Sequence, residues 1–309
     1  MILDILLLLV GLGLVVFGSD ILVDGSSAIA RKSGVSEFVI GLTIVGFGTS
    51  LPEMVVSITG AIEGSADISI GNIVGSNTLN ALLVLGSAAL ITPIAVNRLN
   101  LTRDIPMFFG ITLFFVLLTT KGYLNWVDGL MLLAVFTAYI VLCFKSGKVD
   151  IEEAPKREIG VFMAILMVLG GLAGLVFGGR LFVNHSVNFA RAVGVSEKFI
   201  AITLLAGGTS MPELVTTIVA AAKKKGQLAL GTIIGSNVFN ILFVLGVASL
   251  LTTLNTGGMS WVDFGALLGS TVLLALCAYI GKTKRLNRLE GALMALGYFA
   301  YIGWLIYSI

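Results

Sequence analysis

The chain has 309 residues and a net charge of +2; 57% of its residues are hydrophobic, only 12% are charged, and its mean hydropathy is +1.04. A chain this apolar cannot bury its hydrophobic surface in an aqueous fold, which excludes a water-soluble protein and requires lipid as the solvent. The basic residues are scattered among short gaps, which excludes a nucleic-acid-binding patch. We therefore expect an integral membrane protein with the lipid bilayer, and no nucleic acid, as a partner.

Ten apolar segments are long enough to cross a bilayer, which takes roughly 20 residues each. A polar stretch at 145–158 separates five segments from five and is too short to fold as a regulatory domain. The first segment has no basic region or cleavage site, so we expect it to remain as a span. The segments lie near 4–23, 38–62, 68–93, 105–120, 125–144, 159–183, 199–222, 228–253, 259–281 and 288–308.

The two halves are a tandem duplication with an offset of 160 residues. The stretch 46–53 reads GFGTSLPE and its copy at 206–213 reads AGGTSMPE. A second phrase, GNIVGSNTLN at 71–80, returns as GTIIGSNVFN at 231–240. Under this offset, 28 of the 61 positions from 30 to 90 are identical, which is far beyond chance recurrence.

An odd number of spans in each half requires the second half to enter the membrane inverted. We predict an all-α integral membrane fold of ten transmembrane helices in two inverted-topology five-helix repeats. The predicted divisions are a first half at 1–144 with spans 1–5, a cytoplasmic linker at 145–158, and a second, inverted half at 159–309 with spans 6–10.

The loop charges predict the orientation of these spans. Only four of the 19 Lys and Arg residues fall on one face: Lys121, Arg180, Arg191 and Lys198. By the positive-inside rule the other, basic face is cytoplasmic. We expect both termini outside the cytoplasm and the protein in the cell's inner (plasma) membrane.

Each of the first phrases places an acid beside a helix-breaking proline inside a membrane span. Pro52 and Pro212 cannot donate a backbone hydrogen bond, so each helix should kink or break and leave carbonyls that are tolerated only beside a polar cavity or a ligand. On a continuous helix, Thr49 and Ser50 share a face with Glu53. Such carboxylate, hydroxyl and carbonyl oxygens suit hard cations, and no His or Cys cluster accompanies them.

The second phrases form polar stripes on otherwise apolar helices. Such stripes either supply ion ligands or bind neighbouring helices, and for Asn72, Asn77 and their copies Thr232 and Asn237 the sequence leaves both roles open. Carboxylates in mid-membrane are costly and usually mark ion or proton pathways, which favours a functional role for Glu53 and its copy over a structural one. The stripes consist of Asn72, Ser76 and Asn80 and of Thr232, Ser236 and Asn240.

Glycines recur on the first and sixth spans. Gly170, Gly174 and Gly178 make one smooth helix face, and Gly11 and Gly18 match two residues of span 6 under the offset. This face is interpreted either as a surface for close static packing or as a surface on which helices slide.

With these phrases the sequence resembles the cation/calcium antiporter superfamily, specifically its prokaryotic sodium/calcium exchanger branch, over nearly the whole chain. The resemblance implies that spans 2, 3, 7 and 8 form a diamond of ion sites and that spans 1 and 6 slide across it. It also implies the ligands. Calcium is expected to bind Glu53, Glu213, Thr49 and Thr209, and sodium to bind Ser50, Ser210, Ser76, Ser236 and the carbonyls of Gly46 and Ala206, with Asn80 and Asn240 completing the centre.

The function that this resemblance implies is secondary antiport of sodium for calcium by alternating access. Two carboxylates with three sodium ions keep one positive charge, so exchange should be electrogenic. Some relatives, including potassium-dependent exchangers, have an aspartate where this chain has Asn240, so we expect no potassium coupling. We further expect no enzyme activity, no cofactor besides the transported Ca²⁺ and Na⁺, and function as a monomer.

Three alternatives remain open. The two carboxylates alone could support proton/calcium antiport. A cation channel would lack strict exchange, and an intramembrane enzyme would need a nucleophile–base pair or metal motif that we do not find. The repeats also differ, with Phe47 against Gly207 and Asn72 against Thr232, so the two access routes are expected not to be equivalent.

Overall fold

Helices make up almost the whole structure, a computed structural model that describes residues 2–146, 159–194, 206–280 and 284–308. Helices suit this chain because lipid offers no hydrogen-bond partner to exposed backbone groups. Most of the predicted linker, and the start of the seventh predicted span up to residue 205, lie outside the described residues.

The helices of the first half are α1 Ile2–Ser33, α2 Glu37–Ile40, α3 Gly46–Thr49, α4 Leu51–Ile62, α5 Ala66–Leu79, α6 Leu85–Ile91, α7 Ile105–Thr119 and α8 Trp126–Ser146. Those of the second half are α9 Val161–Ala192, α10 Ala206–Gly208, α11 Met211–Ala222, α12 Gly226–Val238, α13 Leu245–Leu251, α14 Trp261–Ile280 and α15 Arg288–Ser308. Within the described residues, short π-helical stretches lie at Gly41–Val45, Asn80–Val84, Asn100–Asp104 and Phe239–Val244.

The prediction of an all-helical membrane fold is confirmed. Within the described ranges, eight helices are long and apolar enough to cross a membrane. A ninth span is the pair Glu37–Thr49 and Leu51–Ile62, bent by 49°. The short helices α10 and α11 belong to the described part of the seventh predicted span.

Two helices run further than the sequence predicts. Both α1 and α9 have 32 residues, which at 1.5 Å per residue is about 48 Å, more than the thickness of the hydrocarbon core. The hydropathy falls at Asp20 in α1 and at Asn184 in α9, but the helix-compatible residues that follow each of them continue the helix. The predicted boundaries near 23 and 183 therefore mark the end of the apolar stretch and not the end of the helix.

Four two-residue strands, which were not predicted, show that the repeats are inverted. They are β1 Ile94–Ala95, β2 Tyr123–Leu124, β3 Leu254–Asn255 and β4 Arg285–Leu286. Strand β1 pairs with β4 and β2 pairs with β3, both antiparallel. Because the single span α7 separates β1 from β2, the two pairs lie at opposite ends of the molecule. The equivalent strands β1 and β3, 160 residues apart, are thus at opposite ends.

The loops that follow the proline-containing helices are inverted in the same way. Gln227, just after the loop at 223–225, donates a hydrogen bond to the carbonyl of Ala95 at the β1–β4 end, over 2.6 Å. Asp67, just after the equivalent loop at 63–65, packs against Gly258 close to the β2–β3 end. Equivalent loops therefore lie at opposite ends of the molecule.

The centre of the molecule is formed by the two most buried spans, Ala66–Ile91 and Gly226–Leu251. Span 2 touches the second of these backbone to backbone, because a Cβ atom at Gly235 would lie only 2.0 Å from the carbonyl oxygen of Leu42. A Cβ atom at Gly46 would lie 2.8 Å from the backbone nitrogen of Ser236. Glycine is required at these two crossings, since any larger residue would separate the spans.

The long helices α1 and α9 are packed together through their glycines. A Cβ atom at Gly18 would lie 2.8 Å from the carbonyl oxygen of Gly171, and one at Gly171 would lie 2.7 Å from the carbonyl oxygen of Gly18. Gly11 and Gly178 approach each other in the same way. These glycines therefore serve close packing between the two long helices.

Replacing Gly171 by Ala should lower the melting temperature of the detergent-solubilised protein, because the added methyl group must push α1 away from α9. Overpacking of this kind costs about 1–3 kcal/mol. Gly170→Ala is the matched control, since no atom lies within 4 Å of a Cβ built at that position. Equal melting temperatures for the two variants would contradict the packing described here.

Candidate functional site

Both proline-containing spans break at the same place in their repeat. Helix α3 ends at Thr49 and α4 begins at Leu51, with Pro52 in its first turn and Ser50 between the helices at φ −83° and ψ 7°. The second half repeats the break at Ser210, at φ −85° and ψ 7°. Proline is tolerated in a first turn because its missing N–H would have no partner there. The break follows from the prolines, as predicted.

Each break directs a serine to the acid of the other repeat. The Ser50 hydroxyl donates to Oε1 of Glu213 over 2.9 Å, and the Ser210 hydroxyl donates to Oε1 of Glu53 over 3.0 Å. All four side chains are completely buried. The residue spacing predicts that Ser50 shares a face with its own Glu53, which holds only for a continuous helix. The break at Ser50 turns its hydroxyl across to the other half of the molecule.

The two carboxylates have no charge partner in the part of the chain that the structure describes. Their second oxygens, Oε2 of Glu53 and Oε2 of Glu213, are buried without a hydrogen-bond donor there, and the two groups are close enough to repel each other. Burying an ion without a partner costs several kcal/mol. The arrangement therefore requires bound cations or protons to balance the charge.

Three further predicted ligands come together beside this pair. The Thr49 hydroxyl donates to the carbonyl of Gly46 over 3.2 Å and lies 3.4 Å from the Ser236 hydroxyl. Ser236 donates to the same carbonyl over 3.0 Å. The contact is possible because Gly46 and Gly235 bring the two backbones together. A carbonyl and two hydroxyls are thus brought together next to the break.

Asparagines join the two halves at the centre. Asn77 donates to the carbonyl of Asn237 over 3.0 Å, and Asn237 donates to the carbonyl of Asn77 over 3.1 Å. Asn240 donates to Oδ1 of Asn77 over 3.0 Å. Of the two roles left open for Asn77 and Asn237, the structure shows binding between helices. It adds that Asn77 also orients Asn240, a link that the residue spacing did not reveal.

The predicted ligands Asn80 and Asn240 keep oxygens free. Both side chains are completely buried, and the Oδ1 atom of each has no donor within the described ranges. Asn80 begins a π-helical turn and Asn240 lies in the equivalent one. Such turns often occur at functional sites because they change which side chains face inward.

For the remaining predicted ligands, Ser76, Thr209 and Ala206, the structure shows fewer contacts with the rest of the site. The Ser76 hydroxyl is buried and has no partner in the described segments. Thr209 is half-buried, 3.5 Å from Oδ1 of Asn72. Ala206 begins the short helix α10. The Thr232 hydroxyl donates to the carbonyl of Leu228 in its own helix, so it is already satisfied.

Asn72, on α5, links this helix to α4 within the first repeat. Its amide donates to the Ser57 hydroxyl over 2.9 Å and to the backbone carbonyl of Glu53 over 3.2 Å. Its copy, Thr232, makes no such link. The residue therefore fixes the helix that carries Glu53, and only the first repeat has this device.

A cavity of about 340 Å³ reaches the site from the β2–β3 half of the molecule. It separates α4 from α9 and reaches Thr209 and Asn72. The residues that line it are Pro52, Val55, Val56, Asn72, Leu175, Val176, Gly179, Arg180, Val183, Asn184, Gly208, Thr209 and Pro212.

The equivalent space in the β1–β4 half is closed. There the Ser19 hydroxyl of α1 lies 3.2 Å from the Thr216 hydroxyl of α11. Lys223 is 2.7 Å from Asp20 and 2.9 Å from Asp24. Partial burial lowers the pKa of Lys223, but the hydrogen bonds that it donates to the two aspartates outweigh this effect, so the net shift of its pKa is upward. Lys223 was interpreted only as one of the basic residues that set the orientation, and its pairing with the two aspartates was not predicted.

The two repeats also differ on the other side of the site. A second cavity, of about 290 Å³, is lined by Leu79, Leu83, Gly207, Ser210 and other residues. In the other repeat the equivalent positions are Phe239, Phe243 and Phe47, whose rings stack at 4.9 Å and 4.6 Å between centroids. The space is open beside Gly207 and filled beside Phe47. The repeats therefore differ in structure at this substitution, and the expected difference between the two access routes stays a prediction.

Comparisons with known proteins agree with this architecture. A family model described as sodium/calcium exchanger protein matches residues 3–145 and 163–307. The sodium/calcium exchanger MaX1 of Methanosarcina acetivorans is 34% identical, and the match covers 98% of this chain and 99% of MaX1. The inner membrane protein YrbG of Escherichia coli (strain K12) is 31% identical over 99% of this chain and 97% of YrbG.

The fold matches a solved structure over almost its whole length. The sodium-calcium exchanger NCX_Mj superposes with a TM-score of 0.87 at 36% sequence identity. The superposition covers 98% of this chain and 99% of that one.

Replacing either Glu53 or Glu213 by Gln should weaken calcium binding to the purified protein at least about tenfold, because a hydrogen bond or contact to a charged group is worth about 1.5–3 kcal/mol. Equilibrium binding of radioactive calcium measures the effect. Glu37→Gln, in the first turn of α2 and away from the site, is the control with the same chemical change. Parental affinity in either single variant would remove that carboxylate from the site.

Proposed function

Because the chain belongs to the sodium/calcium exchanger family, a family of secondary transporters and not of enzymes, we propose that it exchanges sodium for calcium across the membrane by alternating access. One observation carries the proposal. Two carboxylates are completely buried without a cationic partner among the described residues, and each is held by a serine of the opposite repeat. Such a pair must bind cations that can arrive and leave.

The donor set suits these two ions. Calcium accepts six to eight oxygens in flexible arrangements, including carboxylate, carbonyl and hydroxyl ligands. The proposed calcium ligands are Glu53, Glu213, Thr49 and Thr209, and the proposed sodium ligands are Ser50, Ser210, Ser76, Ser236 and the carbonyls of Gly46 and Ala206, with Asn80 and Asn240 at the centre.

Exchange follows from the shared carboxylates. One calcium ion neutralises both of them, so calcium and a full set of sodium ions compete for the same charges. Three sodium ions leave one positive charge in excess, and that charge must cross the membrane with them. Asn240 offers an amide oxygen without further negative charge, which supports exchange that does not need potassium.

The orientation is part of the proposal. By the positive-inside rule, the distribution of basic residues supports a cytoplasmic position for the β1–β4 end and an outside position for both termini. The cavity beside Thr209 then opens towards the outside. Placement in the inner (plasma) membrane is supported by the name of the relative YrbG. All proposed ligands come from a single chain, so a monomer suffices.

The test is transport by the purified protein in proteoliposomes. Vesicles loaded with sodium should take up calcium, whereas a proton gradient of equal size without sodium should not drive uptake. Uptake should be faster with the inside positive, because one net positive charge leaves for each calcium that enters, and a full charge is worth about 2.3 kcal/mol per 100 mV. Addition of potassium at either face should change nothing.

The arms of this experiment separate the alternatives. Uptake driven by protons alone would favour proton/calcium antiport. If the rate of uptake does not change when a permeant anion is used to impose a membrane potential, the three-for-one exchange is refuted. If uptake requires potassium, the inference from Asn240 is refuted. Vesicles containing the Glu213→Gln variant control for leakage.

A further inference from the structure

Two pairs of charged residues occupy equivalent positions in the repeats but have opposite signs. Asp20 of α1 is equivalent under the 160-residue offset to Arg180 of α9. Lys223, the C-cap of α11, is equivalent to Glu63, the C-cap of α4. The acid Asp20 and the base Lys223 are therefore matched in the other half by the base Arg180 and the acid Glu63. If one pair can form an ion pair, the other pair has the charges to form one too.

The pair at the β1–β4 end is formed in this structure. Lys223 contacts Asp20 over 2.7 Å and Asp24 over 2.9 Å, and Lys225 contacts Asp24 over 2.9 Å. Further inward, Ser19 contacts Thr216. These contacts hold α1 against α11 and close that half of the molecule.

The counterpart at the β2–β3 end is open. Arg180 lines the 340 Å³ cavity between α4 and α9, and Glu63 is exposed. Neither side chain forms an ion pair with another described residue. Val56 and Gly179, which are equivalent to Thr216 and Ser19, also line the cavity instead of touching each other.

The long helices link the two ends mechanically. The glycines that join α1 to α9 backbone to backbone make them one packed unit. Any movement that separates α1 from α11 therefore also moves α9, and by the symmetry of the repeats it carries α9 towards α4. An arginine beside a path for cations would repel them while it is unpaired, and pairing with an acid would neutralise it.

We infer that Arg180 and Glu63 pair to close the β2–β3 end when the β1–β4 end is open, as the charge-reversed counterpart of Lys223 and Asp20. The inference rests on the alternating access of the proposed function. Arg180 and Glu63 are positioning residues, since they set which end is open and do not touch the transported ion.

The test compares the two ends through matched cysteine probes. In a background with both buried cysteines replaced by Ala, V55C reports access at the β2–β3 half and its equivalent V215C reports access at the other half. The ratio of their labelling rates with a neutral maleimide in permeabilised membranes measures the balance between the two states. R180E and E63R each create a like-charged pair, so each should raise this ratio about two- to fivefold, the range expected for an exposed ion pair.

The double variant R180E/E63R restores an opposite-charged pair and should return the ratio to the parental value. K223E is a control that should change the ratio in the opposite direction. It breaks the ion pair formed at the β1–β4 end and should therefore lower the ratio. An effect of local charge on the probes alone would make R180E and E63R act in opposite directions, and that result, or an unchanged ratio, would overturn the inference.

This readout is independent of ion flux. Labelling that responds as described in a protein without sodium-driven calcium uptake would refute the proposed function and leave the ion pair standing. Normal exchange with unresponsive labelling would refute the ion pair and leave the function standing.

Discussion

The structure depends on one electrostatic constraint, which is the burial of two carboxylates that have no cationic side chain as a partner within the described residues. Burial of this kind is expensive unless charge is supplied from elsewhere. The molecule lowers the cost with hydrogen bonds: one oxygen of each acid accepts from a serine of the opposite repeat, and the other oxygen has no donor in the described ranges. The site is thus stable enough to form and is completed only by a cation.

The inverted repeats explain why these groups meet at the centre. Each repeat supplies an acid and, at a helix break, a serine for the acid of the other repeat. Glycines at the crossings of span 2 with α12 bring a carbonyl and hydroxyls beside them. The same symmetry supplies two halves of which one is open and one is closed in this structure. A symmetric site between asymmetric halves is the geometry that alternating access needs.

Much of the fold follows from the sequence, because hydropathy and an exact repeat offset are strong signals. The inverted arrangement, the break at Pro52 and the buried acids were all predicted from residues. Sequence spacing could not predict the crossed bonds of Ser50 and Ser210, because spacing along one helix says nothing about the side chain's direction after a break. It also could not choose between packing and sliding for the glycines of α1 and α9, since both roles need the same small residues.

Charged residues near the ends of the apolar stretches illustrate a second limit of prediction from the sequence. Basic residues such as Lys223 were interpreted only as topology signals, because a charge near a span end usually lies in water, and Asp20 was given no role. The pairing of these two residues joins the long helix α1 to the short helix α11, and a contact between two helices is not visible in the hydropathy of either one. The reversal of sign between the repeats, however, is visible in the sequence once the offset is known.

The central claim is that calcium and sodium use the same pair of carboxylates in turn. Its most direct test is equilibrium binding of radioactive calcium to the purified protein at increasing sodium concentrations. One calcium ion should bind per chain, and sodium should displace it steeply, because several sodium ions must bind to replace one calcium. Potassium should not displace it. Calcium that remains bound at saturating sodium would show that the two ions occupy separate sites, and it would contradict the account.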